Sequence, residues 1–124
     1  MLIIGSMRDK RTLCRRNIDW ATDNLPIDKE RIAITGNSNV GTVSLFAAAC
    51  DESISVAVPS CYFCTFEGSI GTIRHCDYNY VPGILRLAEM YEVAGLIAPR
   101  PLCVIAITRQ GLGHLFVNVL VKAK

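Results

Sequence analysis

A chain of 124 residues fits one domain and can bury a real core, and with 51 % hydrophobic residues and a mean hydropathy of +0.32 it is apolar for its size. Thirteen Lys+Arg stand against 11 Asp+Glu, a net charge of +2 with no long basic run, so a nucleic-acid partner is not expected. No run approaches the ~18 apolar residues of a membrane span, and Met1-Leu-Ile-Ile-Gly-Ser6 holds too short an apolar stretch for a secretion signal, so neither a membrane nor an export route is expected.

Residues 7–25 read as a helix of mixed character that Pro26 stops, with Leu13, Trp20, Ala21 and Leu25 able to share a buried face. The basic cluster between Arg8 and Arg16 falls on this helix and reads as a solvated face. After a turn at 27–30, Arg31–Thr35 is a short apolar run that suits a buried strand. Gly36-Asn37-Ser38-Asn39 follows at once, and Val40–Cys50 reads as a helix of small and apolar residues. Ile54–Val58 is a second buried strand, broken by Pro59. Residues 60–82 read as loop, and Pro82 opens a predicted helix over Gly83–Val93. Pro99-Arg100-Pro101 is a rigid connector into a third strand, Leu102–Ile107. From Thr108 the tail has little pattern apart from the apolar run Leu115–Val121. Strand, helix, strand, helix, strand is the α/β pattern: a parallel sheet flanked by helices, in a single domain over 1–124.

The informative segment is the strand-to-helix turn at Thr35–Gly41. A sharp turn there would lift the Ser38 hydroxyl above the carboxyl end of the sheet, and the helix that follows would aim backbone N–H groups at it. Gly36 supplies the small residue two before Ser38, and the N–H of Asn39 is the candidate oxyanion donor. The pattern departs from Gly-x-Ser-x-Gly: Val40 stands where glycine is expected, and Gly41 comes one residue late. Ser, Asn and Gly are also what a plain helix N-cap uses, so the turn alone leaves nucleophile and cap serine both open.

Several further stretches, in one order, carry a resemblance. They are Asp28–Ser38, Gly41-Thr42, Phe46–Ile54, Ala57–Phe66, Ser69–Ile73, His75-Cys76, Asn79–Gly83 and Ala94–Leu102. Over roughly two thirds of its length the chain resembles bacterial α/β-hydrolases of the acetyl xylan esterase-like or dienelactone hydrolase-like kind. The resemblance implies part of an α/β-hydrolase fold, Ser38 as the nucleophile of a carboxylic ester hydrolase, no cofactor, and a small acyl ester as substrate, such as an acetylated sugar. In this fold the triad runs Ser, Asp/Glu, His. The acid would follow the third strand, where the chain reads Thr108-Arg-Gln-Gly111 with no carboxylate. His114 is in the right order for the base, though close to the last strand, and His75 is a second candidate in the matching loop. Strands that precede the elbow strand in whole hydrolases would have to lie before Met1.

Other chemistries remain to be weighed. Cys61-x-x-Cys64 with His75-Cys76 offers four donors to a zinc ion, although adjacent side chains diverge. Cys64 or Cys76 with His75 is a candidate thiolate pair. The six cysteines, Cys14, Cys50, Cys61, Cys64, Cys76 and Cys103, are expected as thiols in a reducing cytosol. The glycines around 36–41 lack the spacing of a phosphate-binding loop. A third reading is an inactive or partial hydrolase-fold chain that only folds, or pairs with a second copy through exposed sheet edges.

Overall fold

The computed structural model describes residues 7–107 and 114–117. In chain order it contains α1 (Met7–Asn24), β1 (Ile32–Asn37), α2 (Asn39–Cys50), β2 (Ile54–Ser60), α3 (Met90–Gly95), β3 (Val104–Ile107) and β4 (His114–Val117). The sheet order is β1-β2-β3-β4. The first three strands are parallel, and β4 runs antiparallel beside β3. The α/β architecture read from the sequence is therefore present, with an added antiparallel strand from a tail that carried little pattern. Among the described residues the outer edge of β1 has no strand partner, and no helix is long and apolar enough to cross a membrane.

The core lies between α2 and the sheet. Leu45, Ala48, Ile54, Ala57, Met90 and Ile97 are its most enclosed apolar side chains. α2 is almost featureless in hydrophobic patterning because it is buried on most sides, and its small residues let it approach the strands closely. α1 lies against α2. Its inward stripe is Cys14 and Ile18, one turn apart. Trp20 (61 % exposed) and Leu25 (47 %) face outward, contrary to the expected buried face, because they lie off that stripe. The side chain of Leu13 lies outside the described residues.

β2 continues through Pro59 to Ser60. Pro59 pairs with Gly36 one residue before the strand ends, where a missing N–H removes little of the ladder. The helix expected over 83–93 is split. Gly83 takes a left-handed φ of 76°, a 3-10 turn spans Ile84–Arg86, and α3 starts only at Met90. Glu89 caps α3: its carboxylate accepts from Met90 N at 2.8 Å, and its own N–H donates to Glu92 Oε2 at 2.7 Å. The same carboxylate accepts from Phe66 N, tying α3 to the long loop. These N–H donors, Phe66 first and Met90 next, hold its pKa below the ordinary value.

Arg100, between its two prolines, donates to three backbone carbonyls: Nη1 to Asp51 and Ile54, both at 2.8 Å, and Nη2 to Ala48 at 2.7 Å. It thus satisfies carbonyls left over at the carboxyl end of α2.

Candidate active site

Ser38 sits between the last residue of β1 and the first of α2, with φ 54° and ψ −117°. A non-glycine residue there is strained, and it persists only because its surroundings fix it. Three contacts do so. The Ser38 N–H donates to the Ser60 carbonyl of β2 at 2.8 Å, which bends the chain across the end of the neighbouring strand. The Thr42 N–H donates to the Ser38 carbonyl at 3.1 Å and opens the helix. Ser60 Oγ donates to Asn37 Oδ1 at 3.2 Å, bracing the end of β1.

The Ser38 side chain is exposed and makes no cap hydrogen bond with α2. A plain N-cap serine would turn its oxygen back to an N–H of the first turn. Ser38 therefore makes no side-chain cap on α2, and its hydroxyl is left exposed at the turn.

The departure at Val40 has a packing explanation. A Cβ on Gly36 would lie 2.5 Å from both Val40 Cγ1 and the Val40 carbonyl oxygen, so the missing side chain at 36 makes room for the branched one at 40. Val40 is otherwise half exposed. The late glycine is needed too: a Cβ on Gly41 would meet the Ser60 carbonyl oxygen at 2.5 Å and Tyr62 Cβ at 3.1 Å. Gly36 and Gly41 thus bring α2 against the ends of β1 and β2.

Asn39 is the first residue of α2, so its N–H belongs to the helix's positive end. His114 opens β4, and its backbone pairs with Ile107 at the carboxyl end of β3. That is the end of the sheet where Ser38 lies, but three strand spacings away, roughly 14 Å between β1 and β4. The side chain of His114, and residues 108–111 where the acid was sought, lie outside the described residues. His75 is engaged elsewhere: its Nε2 is 3.1 Å from Ser69 Oγ, and its N–H donates to Tyr80 Oη at 3.1 Å.

The cysteines do not assemble. Among the described residues no three of His, Cys, Asp and Glu come together as metal ligands, so Cys61, Cys64, His75 and Cys76 do not form the zinc cluster considered from their spacing. Cys64 Sγ donates to the Thr65 carbonyl at 3.3 Å, and no hydrogen bond joins His75 to Cys64 or Cys76. None of the six cysteines is joined in a disulfide among the described residues. Cys61, just past β2, is the second described non-glycine residue at positive φ, 56°, and its Sγ lies 3.5 Å from Ser60 Oγ. Sequence reasoning did not single out its backbone, since nothing in Ser60-Cys61-Tyr62 marks a left-handed turn.

Behind this turn lies a buried polar cluster that no sequence motif marks. Thr42 Oγ1 donates to Asn79 Oδ1 at 2.7 Å, and both residues are buried. Tyr62 is buried beside Thr42, and its hydroxyl has no hydrogen-bond partner among the described residues. Burial pushes its pKa up to about 12, opposed by a smaller lowering from the nearby Thr42 hydroxyl.

No family model matches the chain. Over 87 residues, 68 % of this chain, it is 32 % identical to YtaP of Bacillus subtilis (strain 168), a provisionally named hydrolase, and it covers 29 % of that protein. Its fold is similar to that of a promiscuous CE15 esterase from the marine bacterial metagenome, with a TM-score of 0.58 and 18 % identity over 80 % of this chain and 29 % of that one. The chain thus spans under a third of the length of either relative. The structural likeness shows a shared α/β fold.

Proposed function

We propose that this chain carries the nucleophile region of a serine hydrolase that cleaves carboxylic esters through an acyl-enzyme on Ser38. One observation carries the reading: Ser38 is held in a strained turn at the carboxyl end of a parallel sheet, with its hydroxyl exposed and not used as a helix cap. The similarity to a hydrolase and to an esterase fold supports it. In this mechanism Ser38 Oγ attacks the acyl carbon and gives up its proton to a base. The oxyanion forms at the N-terminus of α2, where the Asn39 N–H donates to it. The proton passes to the departing alcohol, and water then releases the acid by the same route. His114 is the base we assign, from its chain order and its strand end.

The span of roughly 14 Å between β1 and β4 favours a second reading, in which the elbow stands without an activated nucleophile. A fluorophosphonate probe separates the two, read by intact mass on the wild-type chain, Ser38→Ala and His114→Ala. The active reading expects one adduct on the wild type, none on Ser38→Ala and slow labelling of His114→Ala. No adduct on the folded wild-type chain overturns it in favour of the inactive one.

A further inference from the structure

The segment between β2 and α3 folds into an open groove of about 550 Å³ that does not include Ser38. Phe66, Ile70, Ile73, Val81 and Leu85 make its walls apolar. Glu67 and Arg74 also line it, and these opposite charges give it no preference for a charged guest. One polar side chain in the wall is buried: Asn79, only 5 % exposed. Its Oδ1 is fixed by Thr42, while its Nδ2 has no hydrogen-bond partner among the described residues. Asn79 lines the groove, and its Nδ2 is not among the fully enclosed side-chain atoms that lack a partner in the described residues. An amide pinned by its carbonyl and open at its nitrogen is a directed donor.

The groove is coupled to the elbow. Thr42, which holds Asn79, lies one helical turn from Ser38, to whose carbonyl its N–H donates. One turn rises about 5.4 Å, so the amide sits roughly 10 Å from the nucleophile, within the length of a medium-chain ester.

We infer that this groove binds the apolar part of a neutral ester, an aliphatic or aryl group, with Asn79 Nδ2 donating to a carbonyl or ether oxygen. The inference rests on the esterase reading of Ser38 and narrows its substrate class. A sugar would press hydroxyls against Phe66, Ile70, Ile73, Val81 and Leu85, which offer them no hydrogen bond, and only the exposed Glu67, Thr72, Arg74 and Tyr80 and the buried Asn79 could replace the water lost. An apolar chain with one acceptor matches the wall.

The test uses a ligand that cannot be cleaved and a protein that cannot cleave it. Ser38→Ala is titrated with 2-octanone and followed by NMR of the side-chain amides, with a methyl acetyl-xyloside as the polar comparison. The expected result is a saturable shift of the Asn79 amide with the ketone and none with the sugar. Leu85→Glu, at an exposed position of the wall, should weaken ketone binding about tenfold or more without unfolding the chain. No saturable shift, equal binding by Leu85→Glu, or equal response to the sugar overturns the inference. Because Ser38 is absent from the assay, a binding groove with an unreactive serine, and a reactive serine without a groove, give different results.

Discussion

Replacing Ser38 by glycine and by alanine tests whether the elbow is under strain. Both variants lose the hydroxyl, and since that hydroxyl caps nothing, its loss alone has little effect on stability. They differ in the Cβ. At φ 54° and ψ −117° an L-residue costs about 1–3 kcal/mol. Alanine keeps that cost and glycine sheds it. Against this, glycine loosens the unfolded chain, a penalty of about 0.4–1 kcal/mol. The difference leaves Ser38→Gly more stable than Ser38→Ala by about 1 kcal/mol. Urea unfolding followed by far-ultraviolet circular dichroism reads it directly. With a slope of about 2 kcal/mol per molar, the Ser38→Gly midpoint should lie about 0.5 M higher at equal slope. Equal midpoints, or a lower one for glycine, would show that the turn is relaxed and would remove the backbone argument for a nucleophile.

Gly41 beside the turn and Glu89 at the start of α3 carry two further expected outcomes. Gly41→Ala gains about 1 kcal/mol of helix propensity. Its Cβ meets the Ser60 carbonyl at 2.5 Å, a backbone atom that no rotamer change can move, so overpacking of about 1–3 kcal/mol should win. The variant is expected to melt below the wild type, and a higher melting temperature would refute the close approach. For Glu89, the pKa is lowered in the folded chain, so its contribution is present above the ordinary value of 4.5 and is lost as pH falls through the depressed folded value. Glu89→Gln should therefore lose stability at neutral pH and show a smaller further drop in acid than the wild type, which paired denaturant titrations at pH 7 and pH 3 would measure.

The elements that a short window specifies were legible. Arg31–Thr35 and Ile54–Val58 are bounded apolar runs, and both became parallel strands that run two residues further, with β1 starting at Ile32. The turn at Ser38 was legible as a turn, but its sequence could not separate nucleophile from cap, because that depends on where one hydroxyl points. The role of Gly41 was hidden for a similar reason: it faces Ser60, nineteen residues along the chain in another strand. The split of the predicted 83–93 helix turns on Gly83 adopting a left-handed φ and on Glu89, a less usual cap residue, bonding to Phe66. Trp20 was grouped with Leu13, Ala21 and Leu25 on one face, whereas the stripe through Cys14 and Ile18 decided which face of α1 turned inward. β4 could not be read, since four residues of an edge strand are fixed by the neighbour they pair with rather than by their own pattern.

The Arg100 fork bears on the order in which the chain can become stable as it leaves the ribosome. β1, α2 and β2 are all synthesised by Ser60. Yet the carbonyls that close α2 and start β2 wait for a guanidinium 46 to 52 positions further on. β2 likewise gains its second neighbour only when Leu102 and Ile105 arrive. A nascent chain ending near residue 60 would hold the turn around Ser38 and the residues that bond to it, but not the guanidinium and the third strand that brace α2 and β2, which come only with the last third of the described chain.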